Sequence, residues 1–188
     1  MKYKFLRTGL RSDSGSLIWK IGKWVHQDGP LYICHNGLHC SIYPDQAFSY
    51  VGGEILAVVQ TKGKSIIKED KECWTDMKIV KAWKWTKKDS IDLAIYAAEL
   101  VIDIYEKEYP NDDRPRKAIE SAKSYRNNQT KDNAAASAAA YAAASAAAYA
   151  YAYAAASAAS AAANRNEIIN KIRSWMVKRI KVLERLQN

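Results

Sequence analysis

The sequence predicts an α+β protein: a small mixed or antiparallel β head followed by a helical bundle with a long Ala/Tyr-rich helix. Three observations predict it. Residues 1–88 carry short runs of Ile, Val, Tyr and Trp separated by Gly, Asp and Pro, the pattern of strands and tight turns. After Thr86 the apolar residues recur at helical spacing instead. Residues 134–163 hold 22 Ala, 4 Ser and 4 Tyr, with no charge, Gly or Pro. The boundary is therefore placed at 88, with a β-rich head at 1–88 and a helical domain at 89–188.

In the head, the strand-like runs are Tyr3–Leu6, Leu17–Trp24, Leu31–Cys34, Leu38–Ile42, Ile55–Thr61 and Lys78–Trp85. Asn36-Gly37 suits a hairpin turn between the third and fourth runs. Pro44–Tyr50 (PDQAFSY) reads as a short helix opened by proline.

The helices are expected at about 90–109, 114–126, 133–163 and 166–186. Ser90 suits the cap of the first, whose apolar positions are Ile91, Leu93, Ile95, Ala98, Ile102 and Tyr105. YPNDDRP breaks it, and Asp113 can cap the next, with Pro115 in the first turn. The polar stretch NNQTKDN leads into the Ala tract. The last helix, Asn166–Leu186, has an apolar face of Ile168, Ile169, Ile172, Trp175, Met176, Ile180 and Leu183.

Alanine is the strongest helix former, so the tract predicts a helix of about 45 Å at ~1.5 Å per residue. AAASAAAY occurs at 134–141 and again at 142–149. Ser137, Tyr141, Ser145, Tyr149, Tyr153 and Ser157 lie four apart and form one slowly winding ridge. Small residues let backbones approach, and Tyr adds contact area with a polar tip. Tyr141, Tyr149 and Tyr153 are therefore expected to pack this helix against other helices or a second copy. A solvated helix that merely spaces its two ends is the alternative.

The formal net charge is +9. It is uneven: +7 over 1–88, −3 over 89–164 and +5 over 165–188. Basic ends favour anionic partners such as nucleic acid, nucleotides or an acidic protein surface. The N-terminus lacks an apolar signal core, and the Ala tract is too weakly apolar for a membrane span. Three cysteines, an odd number, suit reduced thiols in a bacterial cytoplasm rather than a disulfide framework.

Two stretches interleave charge and aromatics. Lys81, Trp83, Lys84, Lys87 and Lys88 place cations beside indoles, a pairing that stacks bases and contacts phosphates, or else a strand with buried Trp and solvated Lys. Arg173, Lys178 and Arg179 line the polar side of the last helix, as a contact for an acidic partner or as a solvated outer face.

The segment CHNGLHC gathers Cys34, His35, His39 and Cys40, with Cys73 further on. Its spacing matches no common zinc pattern, and strand alternation would send neighbouring ligands to opposite faces, so no metal is assigned. His39 and Ser41 are the candidate site of the head, since a strand His beside a hydroxyl can orient a ribose or move a proton. A histidine that ties down a loop is the competing reading. No P-loop, GxGxxG, HExxH or GxSxG motif occurs. No catalytic residue and no cofactor is therefore assigned.

CHNGLHCSIYPDQAFSYVGGEILAVVQTKGKSIIKEDKECWTDMKIVKAW resembles a bacteriophage and bacterial family with a C-x-x-G-[LF]-H box. The matching positions are Cys34, Gly37, Leu38, His39, Pro44, Ala47, Gly63, Asp70, Lys71 and Ile79. Leu93–Tyr125 is similar to helical immunity proteins through its P-x-D-D-R-P-R-x-A-I core: Pro110, Asp112, Asp113, Arg114, Pro115, Arg116, Ala118 and Ile119. These resemblances imply a phage or mobile-element setting. They point to a non-catalytic protein that inhibits or sequesters a host protein or ribonucleoprotein, including a counter-defence inhibitor of the anti-CRISPR kind. The alternatives are a nucleotide-binding or nucleotide-acting head, and an immunity protein whose helices bind a toxin.

Overall fold

The computed structural model describes residues 1–127 and 159–187. Among them, five strands form one antiparallel sheet: β1 (Lys2–Leu6), β2 (Trp24–His26), β3 (Leu38–Cys40), β4 (Ile55–Ile67) and β5 (Glu72–Lys84). The short helix α1 spans Pro44–Tyr50, as the sequence predicts. Beyond the sheet come α2 (Lys87–Glu99), α3 (Ile102–Glu108), α4 (Arg114–Asn127) and α5 (Ala159–Ile180). The α+β expectation holds, with the antiparallel form of the sheet. Tyr141, Tyr149 and Tyr153, and the long Ala/Tyr helix they belong to, lie outside the described residues.

The chain divides into two units. The first is Met1–Thr86 together with Trp175–Asn188, and the second is Lys87–Ser174. The head is thus discontinuous, which a single boundary at 88 does not describe.

In the head, β4 and β5 form a long hairpin, with β1 beside β4 and both β2 and β3 beside β5. The sheet then closes on itself. Ser41, just past β3, exchanges two backbone hydrogen bonds with Tyr3 of β1, at 2.7 and 2.9 Å. Closure satisfies polar groups that an open edge would leave bare. Inside it pack Leu6, Trp19, Leu38, Cys40, Ile55, Ala57, Val59, Met77 and Ile79. On the opposite face of β1, Phe5 meets Phe48 of α1 and Trp85 in edge-to-face contacts, with centroids at 5.0 and 5.5 Å. Trp175 joins Trp85 at 6.5 Å.

Several expected elements are corrected. Leu17–Trp24 is not a strand. It contributes one bridge, Arg11 to Ile18, and the strand forms further on at Trp24–His26. Leu31–Cys34 is a turn closed by Tyr32 and Asn36, with Cys34 at φ 69°. It therefore does not form a hairpin with β3. β4 and β5 start or run well beyond the expected limits, because each supplies the other's backbone partners through the polar arm TKGKSII.

The expected helix at 90–109 is two helices. The chain turns at Leu100–Val101, where Val101 N–H bonds Ala98 at 3.1 Å. α2 begins at Lys87, so Ser90 lies inside it rather than at its cap, and Asp89 sits in the first turn where the helix dipole favours a carboxylate. At the start of α4, the side chain that accepts the Arg114 N–H is Asp112, at 3.1 Å, while Asp113 pairs with Lys117.

α5 begins earlier and ends earlier than Asn166–Leu186. After Ile180 the chain leaves the helix and runs along β5. Lys84 N–H bonds Glu184 and Leu186 N–H bonds Ala82, both at 2.9 Å. Leu186 packs on the sheet core. In the second unit, Ile91, Ile95, Ala98, Ile102, Ile119 and Tyr125 form the core.

Candidate anion-binding cleft

Alternation along β1 points Lys4 to the same side as Leu6, toward the closed interior. Lysine is admitted there because a cleft of about 660 Å³ opens at this end of the sheet. Its walls are the Ser12–Ser16 loop, Trp19, the turn carrying Cys34, the strand residues Lys4, His39 and Ser41, and Tyr50 and Lys71. All belong to the first unit.

Lys4 donates its ammonium to the His39 carbonyl at 2.9 Å. Withdrawal from water lowers its pKa to about 8, against partial support from Cys40 and Asp13. Asp13 itself is taken by Arg7, with nitrogen–oxygen distances of 2.6 and 2.7 Å. Lys71 also lines the cleft. Its ammonium lies 2.9 Å from the Cys34 sulfur and 4.0 Å from the Tyr50 ring centroid. The Cys34 contact raises the Lys71 pKa. Tyr50 donates its hydroxyl to Asp70, which raises the phenol's pKa. Among the described residues, neither Lys4 nor Lys71 forms an ion pair with a carboxylate. Glu72, the nearest buried acid on β5, is held by Lys2 at 2.5 Å and by the Trp74 indole at 2.6 Å.

His39 lines the cleft with both lysines and lies within electrostatic reach of each. Its Nε2 accepts the Cys34 N–H at 3.0 Å, and the ring also bonds the Gly37 backbone. Burial first, then Lys4 and Lys71, hold its pKa below the ordinary value. The ring is therefore neutral at pH 7, with Nε2 as acceptor and the proton on Nδ1. Both nitrogens serve the main chain of the 34–39 turn. Gly37 lies in this turn at φ 128°, and a Cβ there would run into the Cys73 sulfur. Ser41 is buried, and its backbone closes the sheet against Tyr3.

The other candidates fall into two groups. Lys81, Trp83, Lys84, Lys178 and Arg179 belong to the head unit, whereas Lys87, Lys88 and Arg173 belong to the helical unit. Lys81 and Lys84 are exposed, and Lys84 faces Glu184 at 3.8 Å. Trp83 is half-buried and bridges Arg185, while its neighbour Trp85 is fully enclosed. Lys87 bonds the Tyr125 hydroxyl at 2.7 Å and Lys88 pairs with Asp92 at 2.9 Å. Arg179 lies 5.9 Å from the Trp175 ring. No group of three or more His, Cys, Asp and Glu residues suited to a metal ion occurs among the described residues. No helix among them is long and apolar enough to cross a membrane.

Residues 1–89 match a family model described as "Domain of unknown function (DUF7666)". The matched segment contains every residue of the cleft. No curated protein and no solved structure matches the chain.

Proposed function

We propose that the chain is a binding protein whose head takes a small anionic ligand, of nucleotide size, in this cleft without turning it over. The proposal is carried by a pair of lysines, Lys4 and Lys71, that line the cleft with His39 and have no carboxylate partner among the described residues. A partly desolvated ammonium without a counter-ion is stabilised by an incoming anion. The cavity volume falls in the range of small-molecule sites. Tyr50, 44% exposed, offers aromatic surface beside Lys71. The commitment of both His39 nitrogens to the backbone supports binding over acid–base chemistry.

The test is a thermal-shift panel of inorganic phosphate, mononucleotides, dinucleotides and dicarboxylates. A ligand at 100 times its Kd stabilises by about 2.7 kcal/mol. Stabilisation by a nucleotide that disappears in Lys71→Met supports the reading, and a flat panel refutes it. The finer proposal, inhibition or sequestration of a host component by a phage-type protein, rests on the resemblance alone. Its test is capture from bacterial lysate with and without nuclease. A stoichiometric protein that survives nuclease supports it, and recovery of small nucleotides alone returns the weight to the cleft.

A further inference from the structure

The outer face of the β2–β5–β4 corner carries an exposed indole among lysines from distant parts of the chain. Trp24, on the edge strand β2, is 41% exposed. Its cross-strand partner on β5 is Lys78, whose own partner on β4 is Gln60. Two residues along, His26, Asp76 and Lys62 form the next row. Residues directly opposite in a sheet share a face, so Trp24, Lys78 and Lys62 project together. The Lys62 ammonium lies 4.5 Å and that of Lys78 5.0 Å from the Trp24 ring centroid. Lys64 lies in the irregularity of β4 that follows, its N–H bonded to the Thr75 hydroxyl at 3.1 Å.

The acids on this face are occupied. Asp76 accepts from Thr75 at 2.7 Å and contacts His26 Nδ1 at 2.9 Å. Asp28 sits 3.3 Å from His26 Nε2. Lys62 lies near enough to Asp76 to help lower that carboxyl's pKa, but neither Lys62 nor Lys78 forms an ion pair with a carboxylate among the described residues, so both can take an outside anion. An apolar partner would have to desolvate them, and a duplex would offer phosphates but no open base for the indole. A flexible polyanion with exposed aromatic faces satisfies both kinds of group at once.

We propose that this face binds single-stranded nucleic acid, with a base stacked on Trp24 and the flanking phosphates held by Lys62 and Lys78. The surface is separate from the cleft, and the proposal does not depend on the cleft ligand.

The experiment is fluorescence anisotropy of a labelled 20-nucleotide oligo(dT) with the full chain, from 50 to 200 mM salt. Wild type binds, and Trp24→Ala weakens binding about tenfold, as expected for one lost base stack. Trp24→Phe keeps most of the affinity. Lys62→Ala with Lys78→Ala lowers the salt slope by about 1.4, the value for two phosphate contacts on a single strand. Lys107→Ala, which removes a charge from the helical unit, leaves binding within about twofold. Circular dichroism verifies folding, and if Trp24→Ala fails to fold, the Phe variant and the double lysine variant decide. No binding by wild type at 50 mM salt overturns the proposal. So does equal affinity of folded Trp24→Ala, an unchanged salt slope in the double variant, or tighter binding to duplex than to single strand.

Discussion

The Lys71 ammonium lies 2.9 Å from the sulfur of Cys34, a residue held in left-handed backbone at φ 69° on the rim of the cleft. Cys40 and Cys73 are enclosed in the sheet, and burial pushes the Cys40 thiol up to about 12. Reactivity follows thiolate character and access. Iodoacetamide on the native protein should therefore label one of the three cysteines, Cys34, and mass spectrometry after digestion reads the position. Labelling of all three at similar rates would mean that the sheet does not close as described.

The pH dependence of ligand binding follows from Lys4. Its pKa is lowered to about 8 by burial, so it loses its charge well before an ordinary lysine does. Anion affinity should fall as pH rises through 8, and Lys4→Arg should move that fall to higher pH. The sign for stability is opposite. Between about 8 and the ordinary value of 10.5 the unfolded chain binds more protons than the folded one, so this group makes the free protein more stable as pH rises through that window. Binding isotherms and denaturant midpoints between pH 6.5 and 9.5 test both signs.

The C-terminal segment is part of the head. Met176 is fully buried, and residues 184–186 add two backbone hydrogen bonds to β5. Met176→Ala should cost about 2–5 kcal/mol, in the range of buried Met truncations. A chain ending at Ile180 should also melt lower, as loss of those two bonds and of the Leu186 contact predicts. Urea denaturation followed by tryptophan fluorescence measures both.

Gly37→Ala tests the turn that holds His39. The position has φ 128°, and an added methyl would meet Cys73 and Leu31. We expect a loss of more than about 1 kcal/mol, the usual result where the native backbone rejects a side chain. Gly52, whose Cβ would meet open space, is the control and should accept Ala with little change.

Much of this architecture was legible in the sequence. PDQAFSY announces α1 by its proline, and the run Ile55–Val59 announces the core of β4. The rest depends on partners far along the chain. Lys62–Ile67 falls outside the expected strand because Lys62–Ser65 is polar or glycine, yet β5 supplies its backbone partners. Lys4 and Lys71 carry no local mark of a site, since their shared neighbour His39 is 35 and 32 positions away in sequence. The CHNGLHC segment marks His39, but its role is set by the Cys34 N–H, which only the folded turn brings to Nε2. By its neighbours Trp24 closes the run Leu17–Trp24, whereas in the fold it opens β2, and its lysines come from β4 and β5.

An anionic ligand in the cleft would contact Lys4 and Lys71 together. The most direct measurement is a ¹H–¹⁵N correlation titration of the full chain with a mononucleotide at pH 7. Binding in the cleft should give saturable shifts concentrated at residues 12–17, 34–41 and 71, lost in both Lys4→Met and Lys71→Met. Shifts scattered over the surface, or cleft shifts that persist unchanged in both variants, would contradict it.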